Sequence, residues 1–431
     1  MIIVTPKTIT TCGIIIIKKE SEASHNEKSI IVYLLQGGGK LRRVVLFLLF
    51  SLLFLTSCKK ENIDNVNGDE YIFGSDFQKN FHNGNYGGFI ACENDKGFFF
   101  LKNSFLYYIE KSSMETTIVC SKLECKHDNY DCNAFVPSEQ LAYNDNKLYY
   151  LTSGKYNDVY SMELDGSNRK QIVTYTNELS STYIIHRGNI YFVENLCLYS
   201  ISLNDVNKKE IIYEFSNVNE IYFILWADGD NVYVCTENQN YVQEFYAYDL
   251  LDNKFERIWS IDSINEDWVS KDVGLNGWYI NKSAIYYYLC GNGIWMYNFS
   301  DGKYTKIVGI TDKSQYGYAT FDDNYIYINT SISILNSQDA SEYTIYVYDY
   351  QGTLVDKIPI GSIYTNKGFI DFSLVASTSD KVFCIGTASE LIDYYFNDKQ
   401  FQFNDTNIFC LPIPNQEKGL IEVELGTKVL P

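Results

Sequence analysis

The sequence predicts an all-β chain, a β-propeller of four-stranded antiparallel blades, and three observations predict it. Aromatic residues make up 16% of the chain, with 38 Tyr and 26 Phe against 6 Pro and 4 Met. Such rings suit the half-buried pleated face of a strand. A short apolar-aromatic strand also recurs seven times along the chain, at start-to-start spacings of 50, 42, 42, 53, 41 and 56 residues. Finally, no segment sustains a 3.6-residue apolar period, so helices should be scarce.

The N-terminal stretch is read apart from these repeats. In Leu41–Cys58, LRRVVLFLLFSLLFLTSC, Arg42 and Arg43 precede a 12-residue apolar run, Val44–Leu55, and Leu55-Thr56-Ser57-Cys58 reads as a lipobox. A run of that length falls short of the roughly 20 residues that cross a bilayer and suits a signal peptide over 41–57. The expected mature chain begins at a lipidated Cys58, lies outside the cytoplasm and meets the membrane through its acyl chains. Gln36-Gly37-Gly38-Gly39-Lys40 is what a purine-rich ribosome-binding site would give if translated, so residues 1–40 read as an upstream extension ahead of a start at Leu41. A polar tether is expected over 58–84, and the propeller over 85–431.

Seven strands set the cadence: Gly97–Leu101, Lys147–Leu151, Asn189–Val193, Asn231–Cys235, Ala284–Tyr288, Tyr325–Asn329 and Lys381–Ile385. Most follow Asn, Asp or Gly, the residues of tight turns. Each is followed by a second signature, beginning at Phe105, Asp158, Cys197, Glu244, Gly293, Thr344 and Asn407. In the second of these, Tyr160, Met162 and Leu164 alternate with Ser161 and Glu163. Asp165-Gly166 and Asp301-Gly302 then supply hairpin turns, and an outer strand closes each unit, TTIVC, KQIVT, EIIYE, ERIWS, TKIVG, DKIPI and IEVEL in turn. With an inner strand such as GFIAC ahead, the unit has four strands. Seven blades are expected, with six or eight as alternatives.

Between the first two blades, over 120–135, three Cys and one His fall within 13 residues as C-x4-C-x-H-x4-C: Cys120, Cys125, His127 and Cys132. Three thiolates and an imidazole make a tetrahedral Zn²⁺ set, although the spacing is not that of a zinc finger. On an exported protein the same cysteines could instead form a disulfide, Cys120–Cys132 or Cys125–Cys132. A catalytic Cys125–His127 pair is a third reading, without a visible oxyanion hole. Five further cysteines, Cys197, Cys235, Cys290, Cys384 and Cys410, lie in predicted strands and read as small buried residues, as does Cys92.

The run Glu115–Phe135, following Asn83–Phe100, resembles the opening of an uncharacterised family of bacterial, mainly Firmicute, lipoproteins. These carry a propeller of unknown function related to the TolB type. Cys120, Cys125, His127, Cys132, Asn133 and Ala134 match that family's motif, and the match is specific over about 50 residues. The resemblance implies the fold and the lipid anchor and adds no chemistry.

The formal charge is −19, and removing residues 1–57 takes away seven Lys/Arg and three Asp/Glu, which leaves −23. Such a surface repels phosphate backbones, so nucleic acid is excluded as a partner. Beyond Cys58 only His82, His127, His186, Arg169, Arg187 and Arg257 remain of their kinds, too scattered for an arginine triad or a serine-hydrolase triad. No catalytic residue is assigned. Trp226, Trp268 and Trp278 sit in or beside predicted loops, where they could stack on sugar rings or pack blade against blade. The expected function is a non-catalytic recognition or scaffold module for a glycan, peptide or protein. The alternative is a propeller-type carbohydrate-active hydrolase or lyase.

Overall fold

Tight two-residue turns organise the chain into meanders. In the second blade, strands Leu141–Asn144, Lys147–Thr152, Tyr156–Glu163 and Lys170–Thr176 pair antiparallel in order. The first turn holds Asp145 and Asn146 at φ 46° and 58°, the left-handed pair that matches the twist of a hairpin. Arg187 and Gly188 do the same in the third blade.

The structure, a computed structural model, describes residues 70–81 and 91–359 with gaps, the longest at 262–274 and 331–343. It describes the backbone alone of Phe369–Ser377, Lys381–Ala388, Thr406–Pro412, Ile421–Glu422, Lys428–Val429 and an N-terminal pair, Ile15–Lys18 with Ile30–Tyr33. The signal stretch 41–57, Cys58 and Trp268 lie outside the described residues. The chain divides into Met1–Asn67, where the N-terminal strands pair antiparallel, and Gly68–Pro431, which holds the blades.

Six blades are described with their side chains and a seventh sheet of the same order in backbone only. Their innermost strands are Ala91–Glu93, Leu141–Asn144, Tyr183–His186, Val218–Asp228, Leu275–Ile280, Gly317–Phe321 and Phe369–Ser377. These strands lie against one another in sequence, first on second, second on third, third on fourth and fifth on sixth. That arrangement is the radial one of a propeller. Two blades gain a fifth strand: Ser180–Ser181 runs parallel to Val218–Asp228, and Lys428–Val429 runs parallel to Thr116–Ile118, the outer strand of blade one. The chain's end thereby returns to its first blade.

Burial explains why the second strand of each blade carries the clearest sequence signal. Asn189–Glu194 is buried at all four central positions, Ile190 to Val193, because neighbouring blades cover both its faces. The outer strand of the same blade, Asp205–Glu214, is mostly exposed. Between blades the rings interleave. Phe192 stacks between Tyr175 and Tyr199 at 4.5 and 5.6 Å, and Trp226 meets Trp278 edge-on at 5.6 Å. Blades five and six approach so closely that a Cβ on Gly277, whose φ is +135°, would stand 2.1 Å from the Ala319 carbonyl oxygen. Glycine is required there on both counts.

Candidate metal centre and channel mouth

The crossover from blade one to blade two leaves the outer strand Thr116–Ile118 and folds back on that blade. Val119 donates its N–H to the Leu106 carbonyl, Leu106 donates to the Ala134 carbonyl at 2.7 Å, and Val136 donates to the Ser104 carbonyl. The loop is thus stitched at both ends to one strand, Phe105–Glu110. Lys122 reaches across it to the Asp131 carbonyl. From blade two, the Asp165-Gly166 turn presses on it. Gly166, at φ +78°, leaves the Asn133 carbonyl only 2.5 Å from where a Cβ would be, and Arg169 donates to that same carbonyl.

These restraints bring the four sequence-predicted residues together. One ligand atom from each of Cys120, Cys125, His127 and Cys132 lies within 4.8 Å of every other, and His127 Nδ1 stands 3.4 Å from Cys132 Sγ. Cys120 and Cys132 are buried among Ile118 and Ala134. Cys125 and His127 complete the group from its solvent side. The three cysteines are free, with no disulfide between them. Burial raises both inner thiols. The backbone N–H groups of Lys122 and Asn133 and the neighbouring thiols overcome it at Cys120, which lies below the ordinary thiol range. Burial wins at Cys132, pushed up to about 12, where Ala134 N–H offsets it only in part. His127 is held at φ +57°, a conformation that costs a non-glycine residue energy and that the surrounding loop imposes. The group lies within reach of a single metal ion.

A second cluster, absent from the sequence reading, lies where the first turns of the blades converge. Within the 58–84 stretch, residues 70–81 are docked across that ring. Gly74 and Ser75 accept through their carbonyls from Asp145 N–H at 2.8 Å, Asn144 Nδ2 at 2.9 Å and Arg187 N–H at 2.8 Å. Phe77 N–H donates to His186 Nδ1, while His186 Nε2–H donates to the Gly229 carbonyl at 2.8 Å. The Gln78 amide exchanges two hydrogen bonds with the backbone of Glu93. Asp76 takes Arg187 Nε at 3.1 Å, and the same guanidinium reaches Asp230. Lys79 Nζ lies 3.0 Å from Asp228, 2.8 Å from Asp323 and over the Tyr279 ring. The short 3-10 turn Lys79–Phe81 rests against the innermost strand of blade seven.

Trp226 and Trp278, expected beside loops, lie inside the innermost strands of blades four and five at 1% and 2% exposure. Trp226 donates its indole N–H to the Ile280 carbonyl at 2.9 Å. Neither offers a free ring face to a sugar, because neighbouring blades fill the space on both sides. The strand holding Trp226 is 11 residues long, and the apolar run around it, Phe223 to Ala227, is the sequence signal that could have marked it as core.

No family model matches the chain, and no curated protein sequence matches it. Solved structures of similar shape include a computationally designed protein, Ika8, at 8% identity and TM-score 0.44, covering 78% of this chain and 87% of that one. A structure from a study of two prolyl endopeptidases aligns at 9% identity and TM-score 0.49 over 77% of this chain, which spans about half, 49%, of the length of that protein. An oligogalacturonate lyase in complex with manganese aligns at 12% identity and TM-score 0.39, over 57% of this chain and 73% of that one.

Proposed function

We propose that this chain is a lipid-anchored, extracytoplasmic propeller that acts as a non-catalytic recognition or scaffold module, with a structural Zn²⁺ at the crossover of its first two blades. The observation that carries the recognition reading is the ring of first turns, which engages a turned chain segment, residues 70–81, through backbone and side-chain groups from six blades. Such a surface reads a ligand by main-chain hydrogen bonds and selects it by side-chain pockets, the division of labour common in peptide recognition. Cys58 supports the anchor through its lipobox, and the acidic mature surface leaves lipid as the membrane contact.

The zinc reading is supported by dimensions. A tetrahedral Zn²⁺ with Zn–S of about 2.3 Å and Zn–N of about 2.0 Å sets sulfurs about 3.8 Å apart and a nitrogen about 3.5 Å from a sulfur. The observed 3.4 Å between His127 Nδ1 and Cys132 Sγ fits. Cys120, Cys125, Cys132 and His127 would hold the ion, and four protein ligands close its coordination sphere, as in structural sites. Bound there, Zn²⁺ would supply fixed loop geometry and a sink for thiolate charge.

A second reading, the carbohydrate-active enzyme, is favoured by one observation. Asp228 and Asp323 meet at the same ammonium, so their oxygens are less than about 6 Å apart, a bound compatible with the roughly 5–5.5 Å of retaining glycosidase pairs and not with the wider inverting spacing.

The tests separate these parts. Acyl-chain labelling in the native host should mark the chain and lose the mark in Cys58→Ala; equal labelling rejects the anchor. The purified mature chain should carry one equivalent of zinc and three thiols that react only after chelation, and two blocked thiols reject the metal. Glycan and peptide arrays should give a ligand that Asp228→Asn weakens. Turnover of a polysaccharide, abolished by Asp228→Asn, would replace the recognition reading with the enzymatic one.

A further inference from the structure

Residues 70–81 belong to no blade, yet they touch all seven. Their contacts fall into two kinds. Carbonyls and N–H groups of Gly74, Ser75 and Phe77 pair with first-turn groups of blades two and three, a set of main-chain bonds presented by the tight turn at Ile72–Asp76. Two side chains fill dedicated places. The Phe77 ring meets the Trp226 edge at 5.3 Å and is 8% exposed. The Lys79 ammonium enters a cage formed by Asp228, Asp323 and the Tyr279 ring, with the Tyr279 hydroxyl donating to Asp323. The fit against blades one to three is close, with a cavity of only about 20 Å³ left between Phe77, Gln78, Phe81 and the innermost strands. The outer rim of the contact is wetter: Asp323 is 49% exposed, and Tyr71 and Phe73 are exposed.

We propose that residues 70–81 are an intramolecular ligand closing this mouth of the channel, and that the ring of first turns is a docking site for a peptide that folds into the same turn, with Ser75 and Asp76 N–H on the Ile72 carbonyl, and that bears an aromatic side chain and, two residues on, a primary ammonium. The proposal deepens the recognition reading and rests on it. Two properties of the contact favour a displaceable ligand over a fixed brace. The segment adds no strand to any sheet, so its departure leaves every blade's ladder intact. Its Lys79–Asp323 ion pair also sits at a partly solvated rim, where such pairs are individually weak. Because the segment is covalently joined to the ring it covers, it competes at an effective concentration in the millimolar range. An external peptide must exceed that, or the segment must be drawn off through the chain that precedes it.

The probe is a fluorescein-labelled peptide of this chain's own sequence from Tyr71 to Phe81, with a control in which the positions of Phe77 and Lys79 are alanine. Proteins are the full mature chain and its Phe77→Ala/Lys79→Ala variant, which empties both places without touching the ring. The variant should bind the probe at one equivalent, at least tenfold tighter than the unaltered chain does, and bind the control at least tenfold more weakly. Adding Asp228→Asn and Asp323→Asn to that variant should cost at least a further tenfold. Equal binding of probe and control, or no binding by a variant that still melts cooperatively, overturns the proposal. Hydrogen exchange on the unaltered chain gives a second measurement that needs no variant. The amides of Asp76, Phe77 and Phe81 should exchange before the sheet amides, and faster with excess probe. If they open only with the blades, the segment is a fixed brace and the proposal fails, while an array ligand that binds elsewhere would leave the recognition reading standing.

Discussion

Trp226 offers the sharpest test of the packing described above, because the sequence allowed it to be either a sugar platform or a core anchor. In the structure it is 1% exposed and surrounded by Phe77, Trp278 and Tyr279, with its indole N–H on the Ile280 carbonyl. Replacing it by alanine removes a fully buried ring, a change that costs about 3–5 kcal/mol. Trp226→Phe keeps most of the ring contact but withdraws the donor, leaving a buried carbonyl short of one partner at about 1–3 kcal/mol. A unit running from Gly68 to Pro431 has a melting entropy on the order of 0.8 kcal/mol/K at about 2.1 cal/mol/K per residue. Differential scanning calorimetry should therefore place Trp226→Ala about 4–7 °C below the unaltered protein and Trp226→Phe about 1–4 °C below it. An unchanged melting temperature for Trp226→Ala would refute the core reading.

Other perturbations probe different joints. Gly277→Ala must move either its own backbone or the Ala319 carbonyl, and should lower stability by about 2–4 kcal/mol through strain and overpacking together, read as a lower urea midpoint. Gly166→Ala should push the blade-two turn off Asn133 and weaken zinc retention at least tenfold in a competition with a chromogenic chelator, while leaving the far-UV spectrum unchanged. His186 gives a pH dependence. Burial holds its imidazole below the ordinary value, against the opposing pull of Asp76 and Asp228 and with the push of Arg187. The unfolded chain, with a histidine pKa of about 6.5, then binds more protons than the folded one in mildly acidic solution. The stability contributed by neutral His186 is thus complete above about pH 7 and is lost as the pH falls below about 6.5. Urea midpoints at pH 7.5 and 5.5 should show this loss, and His186→Gln should flatten it.

How much of this was legible depended on whether a residue's partners were local. The second strands were plain because burial on both faces writes a continuous apolar run between turn residues, as in Asn189–Glu194. The strands that follow them were plain for a different reason, the alternation of Tyr160, Met162 and Leu164 with Ser161 and Glu163. The Cys/His group was visible because its four ligands lie within one loop of the chain, and the fold needed only to close that loop. Residues 70–81 carried no such mark. Asp76, Phe77 and Lys79 look like members of a polar linker, since their partners, Arg187, His186 and Asp228, are 111, 109 and 149 residues away. No periodicity within twelve residues encodes contacts of that range. Trp226 shows the same limit: nearness to a turn in sequence did not reveal that Trp278 and Phe77 would cover it.

The position of the Cys/His group follows from where a closed ring is weakest. Blades two to six are joined to their neighbours by continuous chain and broad apolar faces, whereas blade one must also meet the returning end of the chain. Among the described residues that meeting includes a parallel pairing of two residues, Lys428 with Thr117 and Val429 with Ile118. The same outer strand leads directly into Val119 and Cys120, so a metal bound by Cys120, Cys125, His127 and Cys132 would stiffen the strand that receives the closure. At a free metal concentration 100 times its dissociation constant, such binding adds about 2.7 kcal/mol if the unfolded chain has no affinity, and less if its cysteines retain some. The stabilisation should be local. Hydrogen exchange before and after chelation should show lost protection at the amides of Leu106, Val119 and Val136, which stitch the loop to blade one, and none at Val232 or Val234 in blade four. Uniform loss across both blades would mean that the site supports the whole ring and would refute a role confined to its seam.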